Sequence, residues 1–260
     1  MTKKTKAEIE AMRKSGLLLW QTHQIVVDMV APGVTTAAID AAVDEFIAKN
    51  GALALFKGVP GKYPYPAATC ISVNEEVVHG IPGDRVLQDG DIVGVDIGLK
   101  LDGWCADCAQ TLPVGTINEE KQRLIDITEG CLRLAIKEMK PDVKWSKIAK
   151  KMAKFARNAG FSVVEDLIGH GIGRDMWERP QVPNYWAISL PDFRLKQGMV
   201  LAVEPMINVG VKSIKTLADH WTIVTADKKP SAHFEHTIAI TASGAEVMTC
   251  GPNGEGWAIP

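Results

Sequence analysis

A chain of 260 residues lies near the upper size for one hydrophobic core, so a single domain spanning residues 1–260 is expected. With 46% hydrophobic and 23% charged residues, the composition argues against disorder, and no run of about 18 apolar residues offers a membrane span. The formal charge of −2 argues against a broad basic face for nucleic acid, and Lys3, Lys4 and Lys6 read as a solvated terminus.

The five cysteines are scattered singly with no C-x-x-C pair. That pattern suits reduced thiols and argues against a cysteine-held structural zinc. The opening stretch MTKKTKAEIEAMRKSG has no apolar segment of signal-peptide length behind its charges. A soluble, cytoplasmic protein is expected.

In chain order, Ile9, Met12, Gly16, Leu17, Leu19, Ile25, Val26 and Val30 recur at helical spacing, predicting a helix over residues 7–30 that Ala31-Pro32-Gly33 interrupts. A second helix follows, capped at Thr35-Thr36, with Ile39, Val43, Phe46 and Ile47 as its buried stripe and Gly51 as its stop. Residues 68–73, 91–100 and 104–112 alternate or are β-branched and read as strands. Helices are expected again over 118–140 and 145–158, then strands at 163–164, 199–203, 222–225 and 237–240. The order helix, helix, strands thus occurs twice, which suggests two similar halves. An α+β arrangement, with helices outside a largely antiparallel sheet, accommodates it.

The segment GDIVGVDIGLKLDGWCADCAQT carries the strongest chemical signal. Asp102-Gly103 marks a two-residue hairpin turn, so Leu101 faces Trp104, Gly98 faces Asp107 and Asp96 faces Ala109. Directly opposed residues share a face, so Asp96 and Asp107 project together among Gly94, Gly98, Cys105, Ala109 and Thr111. Val93, Val95, Ile97 and Leu99 form the apolar face. Two carboxylates held close repel when both are ionised, and a bound cation relieves that repulsion.

His170 lies within Gly169-His170-Gly171-Ile172-Gly173, whose glycines permit close approach of other groups. The dinucleotide pattern GxGxxG is absent there. Glu204 ends an apolar run immediately before Pro205, which biases it towards an extended backbone. Glu235 stands in His233-Phe234-Glu235-His236, a spacing distinct from the helical H-E-x-x-H zinc motif, and His236 is expected to support the ligands from behind.

Together, CISVNEEVVHGIP, GDIVGVDIGLKLDGWCAD, IGHGIGR, VLAVEPM and HFEHTIAIT resemble, in order and across nearly the whole chain, the successive signatures of type I methionine aminopeptidases. The resemblance implies the pita-bread fold with pseudo-twofold halves. It also implies two divalent ions per chain, Co²⁺, Mn²⁺, Fe²⁺ or Zn²⁺, held by Asp96, Asp107, His170, Glu204 and Glu235. Asp107 and Glu235 would bridge the ions, and Glu204 would shuttle a proton. His79 would contact the scissile amide, and Tyr65, Cys70 and Trp221 would line the pocket for an N-terminal methionine. The partners implied are N-terminal Met peptides or nascent chains, with transient ribosome contact, no specific nucleic acid, no membrane and a monomeric state.

The chain departs from that pattern on the substrate side. Counting back from Pro180, Trp177 stands where the family carries a second histidine, and Met176 where it carries an aromatic residue. Indole donates one hydrogen bond but cannot become cationic. Lys62 stands at the first position of an expected pair of tyrosines. Substrate preference is therefore expected to differ more than metal binding does.

Overall fold

The structure is a computed structural model and describes residues 2–256. In chain order its elements are α1 (Lys6–Met29), α2 (Thr36–Lys49), β1 (Leu53–Ala54), β2 (Thr69–Val73), β3 (Glu76–Val78), β4 (Ile92–Leu101) and β5 (Trp104–Pro113). Then come α3 (Glu119–Glu138), α4 (Trp145–Asn158), β6 (Ser162–Val163), β7 (Gly169–Gly171), β8 (Glu178–Val182), β9 (Val200–Val203) and β10 (Met206–Asn208). The last are β11 (Ile214–Thr216), β12 (Ile223–Thr225), β13 (Ser231–His233), β14 (Glu235–Ile240) and β15 (Ala245–Val247).

Local sequence explains the helix starts. Thr5 accepts from Glu8 N while the Glu8 carboxylate accepts from Thr5 N at 2.8 Å, a reciprocal capping box. Thr35 caps α2 by accepting from Ala38 N, as its sequence signal predicts. The Asp102-Gly103 turn has positive φ at both residues, 51° and 81°, which suits the twist of a two-residue hairpin.

The main sheet has nine strands among the described residues, with the order β1-β4-β5-β14-β9-β7-β8, β2 pairing with β4 and β15 with β14. Its pairings are antiparallel. The hairpin β4-β5 lies beside the pair β14-β9, and this is the pseudo-twofold arrangement that the repeated element order suggested. The fold is the α+β pita-bread fold.

The apolar faces are buried against different helix pairs. Val93, Val95, Ile97 and Leu99 are fully buried with Leu19, Val26, Ile39 and Val43 of α1 and α2. Leu201, Val203, Ile238 and Ile240 pack with Leu132, Ile136, Ile148 and Met152 of α3 and α4. Each such side chain contributes roughly 1.5–3 kcal/mol by leaving water. The two cores hold the four central strands rigidly and leave their opposite face free to carry chemistry.

Candidate active site

Strand register brings the site residues into rows. In the first row Cys70 pairs with Asp96, Asp96 with Ala109, and Ala109 with Glu235. His236 pairs with Val203, so Glu204, one residue on, lies level with Glu235 at the end of β9. In the second row Gly98 pairs with Asp107. That row continues through Thr237, whose partner Ala202 pairs in turn with His170. A third row runs Ser72, Gly94 and Thr111, and the Thr111 hydroxyl exchanges two hydrogen bonds of 2.9 Å with the His233 backbone.

Because opposed residues share a face, Asp96, Asp107, His170, Glu204 and Glu235 converge, with the small residues Gly98, Ala109 and Ala202 leaving room between them. Ligand atoms of Asp107, His170 and Glu235 all lie within 4.8 Å of one another. His170 Nε2 is 3.6 Å from Asp107 Oδ2 and 3.7 Å from Glu204 Oε1. Its Nδ1 lies 3.0 Å from the Gly171 carbonyl, an arrangement in which Nδ1–H donates and the Nε2 lone pair faces the carboxylates.

His170 sits in a short strand, β7, between the two glycines. The glycines have a packing reason: a Cβ on Gly169 would strike Ala202 O, and one on Gly171 would strike Arg179 O.

The electrostatics are those of crowded acids. Burial pushes the Asp96 carboxyl well above its usual range, and Asp107 and Glu204 add to the push. Glu235 is raised in the same way, by burial first and then by Asp107, Glu204 and Asp96. Burial raises Glu204 to about 8 despite the opposing effect of His170. For His170 burial favours the neutral ring, but Asp107 and Glu204 outweigh it and raise its pKa to about 9.

Asp96 Oδ1, Asp107 Oδ1, Glu235 Oε1 and His233 Nε2 are buried without a hydrogen-bond partner. Converging acceptor oxygens left unsatisfied beside an imidazole are the donor set that a divalent cation satisfies. The residues therefore fit a metal centre.

The rows open into a cavity of about 820 Å³. Phe56, Val59, Tyr65, Cys70, Met176 and Trp221, which pack in one apolar cluster, line it together with the acids, and His79 and Trp177 also lie in its wall. The Tyr65 hydroxyl is shared between the carbonyls of Thr69 and Gly80, and its ring meets Trp221 edge-on at 5.2 Å. Trp221 Nε1 donates to Tyr63 O at 2.9 Å. His79 holds a left-handed backbone conformation, φ 59°, which is uncommon away from glycine and characteristic of functional loops. Burial lowers its pKa, favouring the neutral ring.

Residues 10–242 match the model of Metallopeptidase family M24. The chain belongs to metallopeptidase family M24. Among family M24 relatives, methionine aminopeptidase 1 of Bacillus subtilis (strain 168) is 46% identical over 246 residues, covering 95% of this chain and 98% of the relative. The methionine aminopeptidase of Clostridium perfringens (strain 13 / Type A) is also 46% identical, covering 95% and 97%. The crystal structure of the methionine aminopeptidase of Thermotoga maritima superposes with a TM-score of 0.91 at 40% identity, covering 96% of this chain and 99% of that one.

Three expectations need correction. His236 does not back the ligands: alternation turns it to the opposite side of β14 from Glu235, where Nδ1 meets Thr249 Oγ1 at 2.7 Å and Cys108 Sγ at 3.5 Å. Lys62 is exposed, with Nζ 2.9 Å from His220 Nε2, and is absent from the cavity wall. Lys4 is not solvated but buried, 2.6 Å from Glu178.

Sequence reasoning passed over His233 as a site residue, although its Nε2 points into the cavity 4.0 Å from Glu204 Oε2. The H-x-E spacing of His233 and Glu235 was the available signal, since alternate residues of an extended chain share a face. Asn184 was also missed; its Nδ2 donates to Glu204 O at 2.9 Å.

Proposed function

We propose that this chain removes the N-terminal methionine from peptides or nascent chains by hydrolysis of the first peptide bond. The observation that carries the reading is the adjacency of two features in one cavity: the converging acids and imidazole, and the apolar cluster of Phe56, Tyr65, Cys70, Met176 and Trp221. Family M24 membership and the methionine aminopeptidase relatives make it a metal-dependent hydrolase.

Asp96, Asp107, His170, Glu204 and Glu235 would hold two divalent ions, with Asp107 and Glu235 as the bridging carboxylates. When bound, such ions polarise a carbonyl and lower the pKa of a water. An oxygen-rich set with one imidazole suits Mn²⁺, Fe²⁺ or Co²⁺ and also admits Zn²⁺. Glu204, with one carboxylate oxygen towards His170 and the other towards His233, is our candidate for passing a proton to the departing amine. His79, whose pKa burial lowers, is our candidate for hydrogen-bonding the scissile amide. The apolar cluster around Tyr65, Cys70, Met176 and Trp221 takes the methionine side chain and excludes water from the bond beside it.

Residues 1–260 would act as one catalytic domain, monomeric and cytoplasmic, with transient contact at the ribosome. The free state of Cys70, Cys105, Cys108, Cys131 and Cys250 supports a reducing compartment. Among the described residues no helix is long and apolar enough to cross a membrane.

The test is a peptide comparison with protein reloaded with Mn²⁺ or Co²⁺. Free methionine should be released from Met-Ala-Ser in preference to alanine from Ala-Pro-Ser, and Asp107→Asn or Glu204→Gln should abolish the release. No methionine release with any of these metals would refute the reading.

A further inference from the structure

We propose that the buried pair Lys4–Glu178 is a strap that positions the pocket wall, so that the N-terminal arm sets how tightly the peptide is held. Lysine is rarely buried unless paired. Here the side chains of Lys4 and Glu178 are 5% and 14% exposed, and Nζ lies 2.6 Å from Oε2. The Thr2 hydroxyl donates to the same oxygen at 3.1 Å, and Lys4 N donates to Gly198 O at 2.7 Å, which clips the arm to the turn just before β9. The other oxygen, Glu178 Oε1, accepts from Arg174 N at 3.0 Å and closes the loop of residues 174–178.

That loop carries Met176 and Trp177, both in the cavity wall. On its inner side it is tied to β5: Cys105 N donates to Gly173 O at 2.8 Å, and the Arg174 guanidinium stacks 4.2 Å over the Trp104 ring. On its outer side it is held by Lys4. The fit is close, since a Cβ on Gly173 would fall 2.6 Å from Lys4 Nζ. Glu178 also pairs with Gly171, the neighbour of His170, so the strap fixes the wall relative to the acids. Lys4 touches none of the acids, which makes it a positioning residue acting through Glu178.

The inference rests on the peptide-hydrolase reading for its kinetic arm, and an exchange arm is independent of turnover. In Lys4→Met we expect hydrogen exchange of amides 173–178 to quicken by about tenfold. KM for Met-Ala-Ser should rise by about tenfold, with kcat within about twofold, because the loop grips the side chain and leaves the reacting groups in place. Glu178→Gln, which preserves shape, should act alike and serves if Lys4→Met fails to fold. The double variant should be no worse than either single one, as expected for two halves of one interaction. Unchanged exchange, an unchanged KM or additive effects would each overturn the strap. If the wild-type protein cleaves no peptide, the proposed function fails, and the exchange arm alone decides whether the strap holds the loop.

Discussion

Thr237 fastens Asp107 to the neighbouring strand: the Thr237 hydroxyl accepts from Asp107 N at 2.9 Å and donates to Asp107 O at 2.8 Å. One buried side chain thus satisfies both backbone groups of a central acid, where the ladder between β5 and β14 would otherwise leave them open. Thr237→Val keeps the volume and removes both bonds. It should cost about 1–3 kcal/mol in urea unfolding, the penalty for leaving buried backbone groups unpaired. Mn²⁺ affinity should fall in parallel, and Thr237→Ser should restore both.

Gly98, opposite Asp107, is small because Met176 lies over it. A Cβ there would sit 2.7 Å from Met176 Cε and 3.3 Å from Phe56 Cε1. The methionine tip can move, so Gly98→Ala should change stability by under about 1 kcal/mol. The displaced tip intrudes into the cavity, and kcat/KM for Met-initiated peptides should drop by about tenfold or more. Steady-state kinetics beside a thermal melt separates the two effects.

Trp177 is 57% exposed in the cavity wall, at the position where the resembling family carries a histidine. Trp177→His supplies a smaller, ionisable donor. A well-placed donor to a developing oxyanion is worth about 10²–10³ in turnover, so a rise of at least about tenfold on Met-Ala-Ser is expected. An unchanged or lowered rate would mean that the tryptophan is part of an adapted pocket.

His23 lies on the other side of the sheet from the acids. Its Nε2 is 2.9 Å from Cys108 O and its Nδ1 is 3.0 Å from Gln110 Nε2, in a small cavity that also holds Glu129 and His236. Burial lowers its pKa from 6.5 to about 4, only partly opposed by the Cys108 carbonyl. The unfolded chain therefore binds a proton below pH 6.5 that the folded chain refuses, and stability is lost as pH falls from 6.5 towards 4. The loss is on the order of 3 kcal/mol. His23→Gln should flatten that part of the curve when urea midpoints are compared across pH.

The hairpin was the most legible part of the site. Asp102-Gly103 fixes the turn, the turn fixes the register, and the register puts Asp96 and Asp107 on one face, all from local chemistry. Glu204 and Glu235 could be identified as unusual acids, but their level in the sheet depends on β9, ending at Val203, meeting β14, beginning at Glu235, a pairing that no turn specifies. The strand placement of His170 was not legible, because the packing that demands Gly169 and Gly171 comes from Ala202 and Arg179 on the neighbouring strands. Lys4 looked solvated because its partner, Glu178, is 174 residues away. His236 was misread because adjacency in sequence to Glu235 places it on the opposite face of the same strand.

The most direct measurement is calorimetric titration of the metal-free protein with Mn²⁺, run on the wild-type chain and on Glu235→Gln. Two binding events per chain are expected in the wild type, and Glu235→Gln should lose at least one, since it removes a carboxylate proposed to serve both ions. Absence of binding, or a wild-type isotherm left unchanged by Glu235→Gln, would contradict it.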